Sequence, residues 1–160
     1  MARIIESAET GRPPTAHARS IWLGKQSGSF SRALCEAAAF SAEEMDARTI
    51  AVFTESGLMA RRLSTLRPRQ RIVALTPSRS VQNELAAAWG VEALLYPSSG
   101  TTEDMLSTCE RTLLESGIAK QDEVVVMMAG RLSGLGLSSS LKLHRIGESL
   151  AAAAGNQAKR

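Results

Sequence analysis

The feature that most constrains this chain is a recurrence of short, nearly uncharged, apolar runs set between longer stretches of helix-forming residues. Residues 49–53, Thr-Ile-Ala-Val-Phe, have no charge and no polar alternation. That pattern predicts a strand buried on both faces of a parallel sheet. Similar runs at 71–75, 93–96 and 123–128 predict three more strands. Helix-forming segments lie between them at 58–66, 79–89 and 102–116, and a longer one at 29–45 precedes the first strand. After that helix the order is β-α-β-α-β-α-β. Right-handed crossovers then dictate a mostly parallel sheet with helices on both faces. Residues 142–146, Lys-Leu-His-Arg-Ile, follow a Gly- and Ser-rich loop too short for a helical crossover, so they predict a last strand lying antiparallel at the edge. The expected fold class is therefore α/β, a three-layer α/β/α arrangement around a mostly parallel five-stranded sheet with an antiparallel last edge strand.

The helical segments carry faces suited to such a sheet. Phe30, Leu34, Ala37, Ala38 and Ser41 share one side of the first. Val81, Leu85 and Ala88 share a face of a later one, as do Met105, Cys109 and Leu113 of the last, whose start at 101–104 has capping-box form. Upstream, Met1, Ile4, Ile5 and Ala8 have the spacing of one apolar helix face, and Gly11, Pro13 and Pro14 end it. The expected organisation is a helix over 1–11, a linker over 12–28, one domain over 29–147 and a frayed tail over 148–160. A length of 160 residues suits a single core.

Composition excludes several classes. With 44% hydrophobic and 22% charged residues, the chain has the balance of a soluble globular protein. Its longest apolar stretch, 124–130, is too short to span a membrane, and residues 1–30 lack a signal-peptide pattern. Cys35 and Cys109 fall in helical segments, with no disulfide framework and no metal spacing, which fits a reducing cytoplasm. The net charge of +3 reflects a cluster of Arg61, Arg62, Arg67, Arg69, Arg71 and Arg79. A solvated face accounts for it, and without interleaved aromatic residues no nucleic-acid partner is expected. His17 and His144 have no metal or nucleophile spacing and read as structural. Ser31, Ser41 and Ser138 to Ser140 have no nucleophile elbow. The glycines at 130, 134 and 136 follow a late strand and do not form the dinucleotide fingerprint. Trp22 and Trp89 read as core or contact anchors.

One segment has the makings of a ligand site. Thr54-Glu55-Ser56-Gly57 follows the first strand and opens a helix, so hydroxyls, backbone N–H groups and the positive end of a helix dipole converge there. Such a turn favours an anion. The same hydroxyls also suit simple helix capping, and both readings stand open.

Six stretches in order, at 37–47, 49–57, 67–76, 89–91 (Trp-Gly-Val), 122–130 and 141–147 (Leu-Lys-Leu-His-Arg-Ile-Gly), resemble the C-terminal domain of pyruvate kinases. Residues 1–9 resemble the end of the last helix of that family's catalytic (β/α)₈ barrel, so residues 1–11 are expected to be a barrel remnant and the chain a piece of a longer enzyme. The resemblance implies a cytoplasmic glycolytic parent that transfers phosphoryl from phosphoenolpyruvate to ADP with magnesium and potassium. It implies no catalytic residue and no cofactor in this domain, which serves subunit assembly, docks on the parent's barrel, forms a homo-oligomer and receives a phosphorylated effector. In the family the first turn reads Thr-x-Ser-Gly-x-Ser/Thr. Thr54, Ser56 and Gly57 match it, Glu55 adds a negative charge, and Met59 stands where a hydroxyl is usual, an exchange expected to narrow the pocket. A second effector loop corresponds to 131–140, with Arg131, Gly134, Gly136, Ser138 and Ser139 as the matching candidates. These departures favour a sugar monophosphate or AMP over fructose 1,6-bisphosphate. The alternatives are a stand-alone phosphometabolite-binding protein of the same fold and a small-molecule enzyme using the crevice at the strand ends.

Overall fold

The computed structural model describes residues 30–97, 102–129 and 140–148. They form helix α1 (Phe30–Glu44), β1 (Thr49–Phe53), α2 (Leu58–Leu66), β2 (Arg71–Thr76), α3 (Arg79–Leu85), β3 (Val91–Leu95), α4 (Thr102–Glu115), β4 (Val124–Ala129) and β5 (Ser140–Arg145). The sheet order is β3-β2-β1-β4-β5. Strands β1 to β4 run parallel and β5 pairs antiparallel with β4. This is the fold class expected from the alternating runs. The chain steps outward from β1 to β3, then crosses back to lay β4 against the other side of β1. The strand order therefore reverses between β1 and β4, the place where open α/β sheets form a crevice at their carboxyl ends.

Every residue of β1 is buried, and the pleat divides its side chains between two apolar layers. Ile50 and Val52 pack with Met59, Leu63, Ile72 and Val126 beneath α1 and α2. Ala51 and Phe53 pack with Val73, Leu75, Met127 and the α4 residues Met105, Cys109 and Leu113 on the opposite face. The shared face expected for those three α4 residues is the one that is buried. Helix α1 departs from expectation by a rotation. Its buried residues are Cys35, Ala38, Ala39 and Ala42, whereas Phe30 is 88% exposed and Ala37 faces water. Small side chains let α1 sit close to the sheet, and the Cys35 thiol approaches the Met59 carbonyl at 3.7 Å. The bulkier Phe30 and Phe40 stay outside.

Two boundaries also shift. Helix α3 stops at Leu85, with Ala86 as its C-cap, rather than continuing to 89. The chain has to turn there to reach the sheet: Gly90 adopts φ 67, and its carbonyl accepts from Ile72 N–H at 3.2 Å to begin the ladder. Strand β3 therefore starts at Val91, two residues before the uncharged run. An edge strand tolerates a charge that a central one would not, so Glu92 lies within it, exposed. The outer rim of β3 is partly occupied, because the Gln82 side-chain amide donates to the Ala93 carbonyl at 2.9 Å. At the opposite edge, β5 begins at Ser140 opposite Ala129. Glu110 of α4 fastens that edge. Its Oε2 lies 2.7 Å from His144 Nε2, and its Oε1 accepts from the Gly147 N–H at 2.7 Å.

Both thiols are pushed up from the ordinary 9.0, Cys35 to about 11 and Cys109 to about 12, chiefly because burial penalises the thiolate. The unfolded chain releases these protons near pH 9 while the folded chain keeps them, so stability present below pH 9 is lost as pH rises towards 11–12. Urea unfolding between pH 8.5 and 10.5 should show this loss, with a slope of about 1.4 kcal/mol per thiol per pH unit above 9. Cys109→Ala should flatten the slope, and an unchanged slope in that variant would refute the assignment.

Candidate functional site at the carboxyl ends of the strands

Thr54 continues β1 by one residue, its N–H donating to the Leu75 carbonyl at 3.0 Å. Its buried hydroxyl oxygen then accepts from the Gly57 N–H at 2.9 Å. This bond closes a tight reversal that delivers the chain into α2. Gly57 is the helix N-cap at φ 72, and it makes no side-chain capping bond. The first amides of α2 have no intrahelical acceptors, and the helix dipole makes that end positive. Arg61, one turn along, donates through Nη2 to the Ser56 carbonyl at 2.6 Å, while its Nη1 lies 3.3 Å from Glu84 Oε2 of the residue following Asn83 in α3. A guanidinium is thus held against the turn.

The four sequence candidates of this segment therefore play different parts. The hydroxyl of Thr54 is used inside the turn. Ser56 is exposed, Glu55 is half-buried, and Gly57 is buried. Met59 does not lie over the turn as the pocket-narrowing expectation held: it is 5% exposed and belongs to the layer beneath α1. As the second residue of α2, it faces the sheet. The remaining candidates, Arg131, Gly134, Gly136, Ser138 and Ser139, lie outside the described residues. The register nonetheless pairs Ala129, the last residue of β4, with Phe53, the last of β1, so β4 ends beside the 54–57 turn.

A second hydroxyl turn follows β2 and was not singled out from the sequence. Thr76 is fully buried, and its Oγ1 accepts from the Ser78 N–H at 3.3 Å. Ser78 Oγ accepts in turn from Val81 N–H at 3.3 Å as the N-cap of α3. The repeated Thr-x-Ser at 54–56 and 76–78 was the available signal. The described rim offers hydroxyls, backbone N–H groups and the Arg61 guanidinium. No three His, Cys, Asp or Glu side chains gather there or elsewhere among the described residues, both described thiols are buried and held protonated at neutral pH, and His144 is engaged by Glu110.

A sequence profile of the pyruvate kinase alpha/beta domain matches residues 32–144. The chain belongs to that family. It is 32% identical over 152 residues to the pyruvate kinase of Mycobacterium tuberculosis, covering 92% of this chain and 30% of that protein. It is 36% identical over 124 residues to the pyruvate kinase of Lactobacillus delbrueckii subsp. bulgaricus, covering 77% of this chain and 21% of that one. Among solved structures, Cryptosporidium parvum pyruvate kinase in complex with ADP superposes with a TM-score of 0.74 at 25% identity, over 90% of this chain and 29% of that one. The chain thus spans about a third or less of the length of these pyruvate kinases.

In this pyruvate kinase alpha/beta domain the 54–57 reversal is set by packing. A Cβ added at Gly57 would lie 3.1 Å from Arg61 Nη1 and from Val81 Cγ1, at a φ of +72°. Gly57→Ala is expected to destabilise the fold by about 1–3 kcal/mol, read as a lower urea midpoint. A variant as stable as the parent would show that the reversal tolerates a side chain.

Proposed function

We propose that this chain acts as the assembly and effector-binding domain of a pyruvate kinase and has no catalytic residue of its own. The parent's transfer of phosphoryl from phosphoenolpyruvate to ADP takes place elsewhere in the longer polypeptide. The observation that carries this reading is the position of the 54–57 turn. It stands at the reversal of strand order, next to the end of β4, where the start of α2 and the Arg61 guanidinium favour an anion. A phosphorylated effector binding there would contact both central strands, and an effector that binds two domain arrangements unequally shifts the balance between them.

Phosphoryl transfer needs cations and positioned charges around the moving group. By resemblance to the pyruvate kinases, the magnesium and potassium of the parent are assigned to its barrel. The homo-oligomeric partner is assigned to the rim at β5, a terminal strand of the sheet whose Leu143 is 45% exposed. No helix among the described residues is long and apolar enough to cross a membrane; the cytoplasmic location proposed for the chain rests on its resemblance to the pyruvate kinases.

Calorimetric titration with AMP, glucose 6-phosphate, ribose 5-phosphate and fructose 1,6-bisphosphate tests the proposal. Weak, salt-sensitive binding of a monophosphate is expected, lost in Arg61→Ala. Tight binding of the bisphosphate alone would overturn the preference for a monophosphate, and no binding of any of the four would overturn the effector role. In a lactate dehydrogenase-coupled assay the chain should give no turnover of phosphoenolpyruvate with ADP, and measurable turnover would refute the non-catalytic reading.

A further inference from the structure

The end of the sheet opposite the anion turn carries a second concavity. An open cleft of about 410 Å³ lies where β2 and β3 begin, and its walls include Pro68, Arg69, Arg71, Trp89, Val91 and Glu92. The charge around it is mainly positive: Arg69 and Arg71 line it and Arg67 lies over Trp89, against the one lining carboxylate, Glu92. Arg69 and Arg71 are exposed on the cleft wall, whereas Pro68 is buried behind them. Every one of these cations is arginine, whose planar fork matches the two oxygens of a carboxylate.

The aromatic member of the cleft is fixed at its backbone by one residue and covered on its ring by another. Ser64 Oγ donates to the Trp89 carbonyl at 2.7 Å, and the Arg67 guanidinium carbon lies 5.3 Å from the centre of the Trp89 ring. Trp89 nonetheless remains 36% exposed. An anchored, partly exposed tryptophan beside arginines has the composition of an interface hot spot, because little side-chain entropy remains to be lost on binding.

We propose that this cleft is a docking site for an acidic peptide segment, with carboxylates on Arg69 and Arg71 and one apolar side chain against Trp89 and Val91. Three observations favour that occupant. The cleft is open rather than enclosed, so a small molecule would leave much of its surface in water, unlike ligands of enclosed pockets. Glu92 divides the basic wall, its Oε2 lying 4.0 Å from Arg71 Nη1 with the side chain 48% exposed. An evenly charged phosphate backbone meets a like charge there, while a peptide can present an apolar or polar residue at that point. Finally, the cleft lies at the amino ends of the strands, so docking leaves the turn after β1 open.

The test uses the whole chain with Trp22→Phe, which leaves Trp89 as the sole tryptophan of the sequence. It is titrated with the synthetic peptide acetyl-Glu-Glu-Leu-Glu-Asp-Leu-Glu-Glu-amide while tryptophan emission is recorded. A saturable blue shift is expected, with affinity falling about tenfold or more between 50 and 500 mM salt. The double variant Arg69→Glu/Arg71→Glu should abolish the shift. Glu92→Gln should tighten binding about twofold or more by removing the competing carboxylate, a gain that no folding defect produces. The proposal is overturned if the peptide gives no saturable shift, if the shift survives the double charge reversal, or if inorganic pyrophosphate displaces the peptide at equal concentration, which would mark a small-anion site instead.

Discussion

Strand β1 is buried along its whole length and is flanked on both sides by parallel neighbours, so everything else in the fold is arranged to keep water from two apolar faces at once. Its alternating side chains demand a helical layer above and below. Helices α1 and α2 supply one layer and α4 supplies much of the other. Removing the side chain beyond Cβ from a residue as enclosed as Ile50 would cost about 2–5 kcal/mol, a large part of the stability of a domain this size. Because β1 leads directly into the 54–57 reversal, the same burial that stabilises the sheet also fixes where the hydroxyls and the start of α2 sit.

The reversal itself is determined from its far side. A Cβ at Gly57 would crowd Val81 and Leu85 of α3 at 3.1 and 3.3 Å, at a positive φ, and α2 and α3 are tied further by Arg61 and Glu84. A candidate binding turn built in this way stands on packed elements rather than on a loose loop, which is how a site holds its donors in position before a ligand arrives. Its geometry depends on residues more than twenty positions away, in a helix that does not itself contribute to the turn's hydroxyls.

This remoteness explains what was legible in the sequence and what was not. Strands buried on both faces announce themselves by composition, so β1, β2 and β4 were readable within a residue or so, and with them the mostly parallel sheet, though not the order in which its strands lie. Edge strands mix charge with apolar residues, and Glu92 and Gly90 hid the start of β3. The buried face of α1 was misjudged because alanines give little contrast between inside and outside, and Phe30 drew the face towards itself. Nothing local shows that α3 must end at Leu85, since Ala86, Ala87 and Ala88 would all extend a helix; the need to reach β3 decides it. At the site, the Thr-x-Ser-Gly turn was visible, but the burial of Met59 and the engagement of Arg61 by Ser56 and Glu84 are tertiary facts. Arg61, Arg67, Arg69, Arg71 and Arg79 do lie exposed, as a solvated face requires; the contact of Arg67 with Trp89, 22 positions further along the chain, is again a tertiary fact.

The amide of Gln82 bonded to the Ala93 carbonyl bears on how copies of such a sheet can meet. A sheet with two equally receptive margins invites head-to-tail addition, and head-to-tail addition that does not close into a ring grows into a filament. Here one margin already has part of its bonding capacity filled from within. A strand added at the β3 margin would have to displace that bond, so the two margins of the sheet are not equally receptive.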